Sequence, residues 1–130
     1  AFAAKKKVKL TNKPMHYISS DGYDIYVGKN NIQNDQLTFR IAGPKDLWFH
    51  VKDIPGSHTV LFCADKEYGT DYTDQSILEA AQIAAGHSKA SEGSTVAVDY
   101  TQRRYVKKPS GSKPGFVIYT HQKTLYVSGK

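Results

Sequence analysis

The sequence has few of the features that mark secreted and membrane proteins. A single cysteine, Cys63, stands among 130 residues, which excludes an internal disulfide. No apolar run reaches about 18 residues, and no charged start leads into an apolar segment, so the sequence predicts neither a membrane span nor a secretion signal. Cys63 lies in the run VLFCA, which favours a buried thiol in a reducing compartment. We therefore expect a cytoplasmic protein with no membrane partner.

Acidic residues are outnumbered by basic ones. Twelve Asp and Glu stand against 18 Lys and Arg, giving a net charge of +6 and a pI of about 9.3. This charge favours RNA, DNA or anionic lipid as a partner and does not choose among them. Nine Tyr, five Phe and one Trp accompany the charge. Such rings suit single-stranded nucleic acid, where bases stack on aromatics and cations meet phosphates, although most are also ordinary strand residues.

The first residues differ in composition from the rest. Residues 1–15 contain five lysines and show no strand or helix period, so we predict a basic flexible linker there and one domain over residues 16–130. The lysine-rich start does not look like a natural N-terminus. We expect the chain to be part of a longer protein, although a free-standing domain stays open.

The first half of the domain reads as strands. Two aromatic and β-branched runs, near 16–20 and 23–27, flank Asp21 and Gly22, which predicts a hairpin with a type I′ turn. After a polar loop, apolar and polar residues alternate in QLTFRI, residues 36–41, as in a half-buried strand.

One segment reads as a helix. Residues 73–90 have Thr73 or Asp74 as an N-cap and small apolar residues at helical spacing. The runs STVAVDY, FVIYT and TLYVS then predict strands, with RRYVKK as a further candidate. Strands, one helix and more strands indicate an α+β fold, a largely antiparallel β-sheet packed on one main α-helix.

The run DLWFHVK carries two different faces, because alternate residues of a strand point to opposite sides. The face expected toward the core holds Leu47, Phe49 and Val51. The opposite face holds Asp46, Trp48 and His50. We expect this second set to form a ligand surface, with Trp48 stacking on a base, His50 donating to a phosphate or base edge, and Asp46 accepting from an amine or orienting His50. The alternative is a second layer, in which Trp48 covers the helix and His50 satisfies a buried carbonyl.

The turn that follows offers phosphate-binding groups. Pro55 and Gly56 suit the central positions of a type II turn. The backbone N–H of Gly56 and the hydroxyl of Ser57 would then face an anion.

Two histidines flank this turn, and the strand register decides whether they meet. Pairing Ile54 with Ser57 puts His58 on the face opposite His50, whereas a shift by one residue puts both on one face. With Asp53 they raise the alternative of a metal site or of an enzyme acting on RNA or nucleotides. The sequence has no HExxH motif and no cysteine pair, so we expect no metal, no cofactor and no catalytic residue.

Two further segments are candidates for RNA contact. In GKNNIQND the side chains are Lys29, Asn30 and Asn34. In RRYVKKPSGSKPG they are Arg103, Arg104, Lys107, Lys108 and Lys113. A tight amide-rich loop and a charged edge strand explain these segments equally well. The second segment lacks the spacing of a nucleotide P-loop.

Four motifs in this order resemble the NFACT-R domain of the RqcH/NEMF family, once called fibronectin-binding proteins, over about residues 17–127. They are SSDGYDIYVGKNNIQND, DLWFHVKDIPGSH, ILEAAQIAAGHSKA and YVKKPSGSKPGFVIYTHQKTLYV. The family's Asp-x-Trp-x-His signature falls on Asp46, Trp48 and His50, and its Pro-Gly-Ser-His turn falls on residues 55–58. The loop after the second strand matches at Lys29, Asn30 and Asn34.

The resemblance implies a non-catalytic RNA-binding module of a ribosome-associated quality-control factor. In that family the whole protein binds stalled large ribosomal subunits, recruits tRNA and supports C-terminal alanine tailing, using an NFACT-N domain and coiled-coil regions beyond this segment. The older family name leaves a fibronectin-binding adhesin as a further alternative.

Overall fold

A six-stranded antiparallel sheet organises the chain, in the strand order β1-β2-β4-β3-β5-β8. The computed structural model describes residues 13–62, 74–90 and 93–128. The strands are β1 (Met15–Ile18), β2 (Asp24–Val27), β3 (Leu47–Val51), β4 (Thr59–Phe62), β5 (Thr95–Gln102), β6 (Val106–Lys107), β7 (Ile118–Tyr119) and β8 (Lys123–Ser128). The helices are α1 (Asn31–Gln36) and α2 (Asp74–Gly86). The predicted α+β class, with one main helix on the sheet, is confirmed.

The first hairpin forms where the sequence predicts it, but its turn is of another type. β1 begins at Met15, inside the predicted linker, whose residues 1–12 lie outside the described residues. The Gly22 N–H donates to the carbonyl of Ser19 at 2.9 Å, and Gly22 has a φ of 92° while Asp21 keeps a negative φ. A type I′ turn needs a positive φ at both residues, so that prediction is wrong. A type I turn closed by a left-handed glycine fits these angles.

The predicted strand at 36–41 is wrong, because this segment is helical. The side-chain oxygen of Asn30 accepts the Gln33 N–H at 2.8 Å and starts α1, and a π-helical turn, Leu37–Ile41, continues it. Leu37 and Thr38 are both buried, although they are adjacent and would face opposite sides of a strand. The amides that read as a loop supply the helix cap.

The helix α2 covers one face of the sheet. Three of its alanines, Ala80, Ala81 and Ala84, are buried against Phe49 and Val98 of the sheet. Small side chains let the helix approach the strands closely. The predicted helix is confirmed from Asp74 on; its candidate cap Thr73 and the thiol of Cys63 lie outside the described residues.

A second layer covers the opposite face of the sheet. It consists of α1, the π-helical turn, and a separate two-stranded sheet of β6 and β7. The run RRYVKK forms a 3₁₀ turn, Arg103–Tyr105, followed by β6, and the predicted strand at 116–120 contributes only β7. The strands predicted at 94–100 and 124–128 are present as β5 and β8.

Within the described ranges, α1 and α2 both lack the length and apolar character needed to cross a membrane.

Candidate nucleic-acid interface

The two faces of β3 are both covered. Leu47, Phe49 and Val51 join the core under α2, as predicted. Trp48 is 0% exposed and lies in a second core with Leu37, Val60 and Val106. The expectation that Trp48 is displayed on an open surface is therefore wrong, because the second layer covers it. The second-layer alternative is the one observed, except that Trp48 lies away from α2.

Asp46 is also buried, so its carboxylate is not accessible to a ligand. It is 4% exposed, and its carboxylate accepts the Gly43 N–H at 2.7 Å in the turn that leads into β3. Its peptide carbonyl accepts the Arg103 N–H. Asp46 therefore fixes the start of the strand, four residues from the histidine that it was expected to orient.

The register brings the two histidines to the same face. Trp48 pairs with Val60 and Phe49 with Thr59, which places His50 opposite His58. The two imidazole rings lie 5.8 Å apart, edge to face. The pairing of Ile54 with Ser57 is wrong, and the register is not shifted from it by a single residue either. The alternative in which both histidines lie on one face is confirmed.

The turn between the histidines is not of type II. That turn requires a positive φ at Gly56, but the positive φ in this loop belongs to Asp53, at 59°. Gly56 instead forms a β-bridge with Ser88, and a Cβ at Gly56 would lie 3.0 Å from a methyl carbon of Val51. The absence of a side chain at Gly56 lets this loop lie close to the segment after α2. The geometry gives no support to the predicted phosphate-binding turn with Ser57.

His58 is enclosed and fully bonded. Its Nδ1 accepts from the Thr38 hydroxyl at 2.8 Å, and its Nε2 donates to the carbonyl of Gly115 at 3.1 Å. Burial, with a smaller contribution from His50, lowers the pKa of His58 to about 3. A neutral imidazole with both nitrogens engaged has no proton to exchange with a substrate near neutral pH. In the described ranges no three metal-binding side chains come together either.

Asn34 has a structural role that the sequence did not predict. It is 3% exposed, and its side-chain oxygen accepts the backbone N–H of His58 at 3.1 Å. A Cβ at Gly28 would lie 2.1 Å from that oxygen, so the chain passes very close here. The expected RNA contact of Asn34 does not fit this position. Asn30 caps α1, and Lys29 is exposed beside it.

Sequence reasoning missed the buried carboxylate of Asp99 and the two hydroxyl groups that donate to it. The Tyr119 hydroxyl donates to Asp99 at 2.7 Å, and the Thr124 hydroxyl donates to the same buried carboxylate at 2.7 Å. Burial and the hydrogen bond to Asp99 raise the pKa of Tyr119 well above its ordinary value. Tyr119 stacks obliquely on Trp48, with ring centroids 4.8 Å apart. The only signal in the sequence is an acid within the apolar run STVAVDY.

The predicted cations of the second layer divide into two groups. Arg103 donates from Nε to the carbonyl of Thr38 at 2.7 Å and places its guanidinium over the ring of Phe39. Lys108 lies 3.3 Å from the carboxylate of Asp35 and donates to the carbonyl of Phe116. These two hold the layer together. The exposed cations of the layer are Arg104, Lys107 and Lys113, with Lys29, Arg40 and Lys45 in the segment that contains α1.

A groove of about 530 Å³ opens in this layer. Its lining residues are Ile32, Asp35, Gln36, Phe39, Arg40, Lys108 and Pro114. Apolar side chains beside the cations Arg40 and Lys108 match the chemistry of a nucleotide, whose base is planar and whose phosphate is anionic, and the one carboxylate of the lining, Asp35, is paired with Lys108.

Charge is segregated between the two sides of the sheet. The helix α2 contains two acids and no Lys or Arg. The segments 29–45 and 103–117, which we call the basic layer, contain eight Lys and Arg and one acid, Asp35. Among the described residues, the basic layer therefore carries more positive charge than α2, which lies on the other side of the sheet.

Comparisons with known proteins agree with this chemistry. The family model described as the NFACT protein RNA binding domain matches residues 13–120. The Rqc2 homolog RqcH of Bacillus subtilis is 50% identical over 125 residues, which cover 95% of this chain and 21% of that protein. RqcH of Streptococcus suis is 46% identical over the same length. The chain thus spans about a fifth of these relatives.

A solved structure shows the same fold. The C-terminal part of the fibronectin/fibrinogen-binding protein from Streptococcus suis superposes with a TM-score of 0.84 and 45% sequence identity. The match covers 98% of this chain and 49% of that one. A more distant relative, the bovine coiled-coil domain-containing protein 25, is 26% identical over 111 residues, or 85% of this chain and 53% of that protein.

Proposed function

Because this chain belongs to the NFACT protein RNA-binding domain family, we propose that it binds RNA through the basic layer, as one module of a longer RqcH-like protein. The observation that carries the proposal is the charge segregation. Eight cations lie in the basic layer, and α2 has none. Phosphate attraction supplies most sequence-independent RNA affinity, so the basic layer is the side that RNA would approach.

The exposed cations and the groove have separate parts in this binding. Arg103 and Lys108 are held by a hydrogen bond and an ion pair within the domain. The exposed cations that would neutralise phosphates are Lys29, Arg104, Lys107 and Lys113. The ring of Phe39, half-buried in the groove, would take a stacked base. Trp48 contributes by supporting the layer from beneath, since it has no open face.

The wider role proposed is that of the family. As part of a longer cytoplasmic protein with an NFACT-N domain and coiled-coil regions, the chain would help to hold rRNA or tRNA on a stalled large ribosomal subunit while alanine is added to the C-terminus of the nascent chain. The similarity to RqcH proteins over 95% of the chain supports this role. The domain itself would be a binding module, because the family is described by RNA binding and His58 has no free nitrogen.

The test is RNA binding by paired charge variants. Fluorescence anisotropy with tRNA and with a short single-stranded RNA, between about 50 and 200 mM salt, would compare the wild type with a Lys107→Ala/Lys113→Ala variant. The matched control is Lys89→Ala/Lys123→Ala, which removes the same charge from exposed positions outside the basic layer. We expect the first variant to weaken binding and to reduce the salt slope by about 2, since each lysine neutralises one phosphate.

Equal loss of affinity in both variants would mean that total charge, and not the basic layer, attracts the RNA. Binding that does not weaken with salt would contradict the electrostatic proposal altogether.

A second candidate function follows from the solved structure, whose protein is described as binding fibronectin and fibrinogen. Surface-immobilised fibronectin, used in the same charge-variant series, tests it. Tight fibronectin binding at about 150 mM salt, together with no RNA binding, would favour this function over the first.

A further inference from the structure

A second pocket opens at the carboxyl end of β3, and its lining residues differ from those of the groove. Its volume is about 360 Å³, at the small end of the range for small-molecule sites. The residues that reach its surface include His50, Asp53, Pro55, Phe116, Val117 and Tyr119. Its floor is the buried aromatic cluster of Trp48 and His58.

The polar groups of this pocket accept hydrogen bonds. The Nδ1–H of His50 donates to the carbonyl of Val51 at 2.6 Å, which leaves Nε2 of the neutral ring as an acceptor. The carboxylate of Asp53 is a second acceptor, and it lies close enough to Tyr119 to help raise the pKa of that phenol. The Tyr119 hydroxyl already donates its hydrogen bond to Asp99. A ligand here needs N–H donors, and a phosphate is repelled.

Asp53 is held in an unusual backbone conformation. Its φ is 59°, in the left-handed region that glycine and asparagine adopt more readily, and His121 is the only other described non-glycine residue with a positive φ. Backbone strain of this kind concentrates at ligand sites. Here it accompanies a carboxylate at the mouth of a pocket, which points to a function for that side chain.

The walls of the pocket suit a flat ring. Phe116 is 51% exposed and Pro55 is exposed across the mouth, while the half-buried rings of His50 and Tyr119 lie deeper. Planar aromatic groups stack on such surfaces. The pocket therefore combines a stacking surface with two hydrogen-bond acceptors, inside a domain whose surrounding charge is positive.

We infer that this pocket takes one unpaired guanine base of a bound RNA, an inference that rests on the proposed function. Guanine is the RNA base whose pairing edge presents two adjacent donors, N1–H and the N2 amino group, and a carboxylate accepts both. Adenine and cytosine offer one amino group beside a ring acceptor, and uracil offers one N–H between two carbonyls. The cations of the basic layer would hold the flanking phosphates, and Asp53 would select the base.

The experiment measures base preference against total affinity. Fluorescein-labelled RNA hexamers, UUUUUU and UUGUUU, would be titrated at one salt concentration with the wild type, Asp53→Asn and Asp53→Gly. We expect the wild type to bind the guanine hexamer about tenfold more tightly, as a good bidentate contact allows. Both variants should lose this preference and bind the two hexamers with equal affinity. Asparagine and glycine tolerate a positive φ, so the fold is retained in both.

The outcomes separate the two proposals. Equal affinity of the wild type for both hexamers, or a preference that survives in Asp53→Asn, overturns the guanine pocket and leaves the RNA-binding function standing. If neither hexamer nor tRNA binds, the proposed function fails. The pocket itself is tested by titrating the domain separately with guanosine monophosphate and with the other three nucleoside monophosphates. The readout is the ring resonances of Tyr119 and Phe116. Binding of trimethyllysine in place of guanosine monophosphate would overturn the inference in favour of a cation cage.

Discussion

The two faces of the sheet are packed by different chemistry. On one face α2 lays alanines against aliphatic strand residues, and this layer has no cation in its helix. On the other face the second layer, which includes Tyr119, covers Trp48 and His58 and makes side-chain hydrogen bonds to His58 and Asp99. An apolar helix interface needs only matched volumes, whereas a polar aromatic interface also needs hydrogen-bond partners for its buried donors. Among the described residues, the buried Nε1–H of Trp48 is an exception to this requirement. We conclude that the α2 face supports the fold, and we propose that the other face adds recognition of RNA to its structural role.

Of the substitutions proposed, Trp48→Ala should lower the stability of the domain most. Removing a ring that is 0% exposed from the second core should lower the free energy of unfolding by about 3–5 kcal/mol, because a large cavity remains. Urea denaturation followed by circular dichroism measures the loss. The control is Tyr126→Ala on the same sheet face, where the ring is 73% exposed and little should change. A loss below about 1 kcal/mol for Trp48→Ala would mean that the second layer is not packed on Trp48.

Ala84→Leu tests the packing of the α2 face. Ala84 is buried against the sheet, so extra methylenes should destabilise the domain by about 1–3 kcal/mol. Gln75→Leu adds a leucine at an exposed position of the same helix and serves as the control. Thermal unfolding compares the two. If Ala84→Leu were as stable as Gln75→Leu, the close approach of α2 to the strands would be contradicted.

The acid sensitivity of folding should originate mainly on the sheet face that the second layer covers, where His58 is buried. The pKa of His58 falls from 6.5 to about 3 on folding, so the unfolded chain binds the proton more readily. Stability is therefore complete above about pH 6.5 and is lost toward pH 3, with a slope of up to about 1.4 kcal/mol per pH unit. Burial also lowers the pKa of His87, beside α2, in the same sense but less deeply.

Unfolding curves of His58→Gln and His87→Gln between about pH 4 and 7 check this order. We expect the glutamine at position 58 to remove more of the pH slope than the one at position 87. The reverse order would mean that His58 is accessible to protons in the folded domain.

Asn30→Ala has the smallest expected effect and separates a cap from an RNA contact. Losing the N-cap of α1 should cost about 1 kcal/mol, and Asn30→Ser should restore most of it, since serine also caps helices. Stability and RNA affinity of both variants are measured together. If serine restores stability but RNA affinity stays low, Asn30 itself contacts RNA; if both recover, its role is the cap alone.

Sequence patterns predicted the elements whose periodicity is strong. The alternation in β3 and the alanine spacing in α2 gave the first core and the α+β class. They failed where one short polar side chain decides the structure. Asn30 starts a helix inside a segment with strand-like alternation, and the wide loop at Asp53 sets a register that no local pattern specifies.

The role of the Trp48 face was predictable only in part. Alternation correctly separated Trp48 and His50 from the core residues under α2, but it could not show that α1 and β6–β7 fold over that face. Coverage of this kind depends on contacts between distant segments, such as His58 with Thr38 and Gly115. The excess of cations could be predicted from composition alone, because net charge is visible in the sequence without knowledge of long-range packing.

The most direct test of RNA binding through the basic layer is amide chemical-shift mapping of the labelled domain during titration with tRNA. The titration is run at about 50 mM salt, where electrostatic binding is strong. We predict that the shifting amides belong to the basic layer, residues 29–45 and 103–117, and that those of α2 stay in place. Shifts concentrated in α2, with the basic layer unchanged, would contradict it.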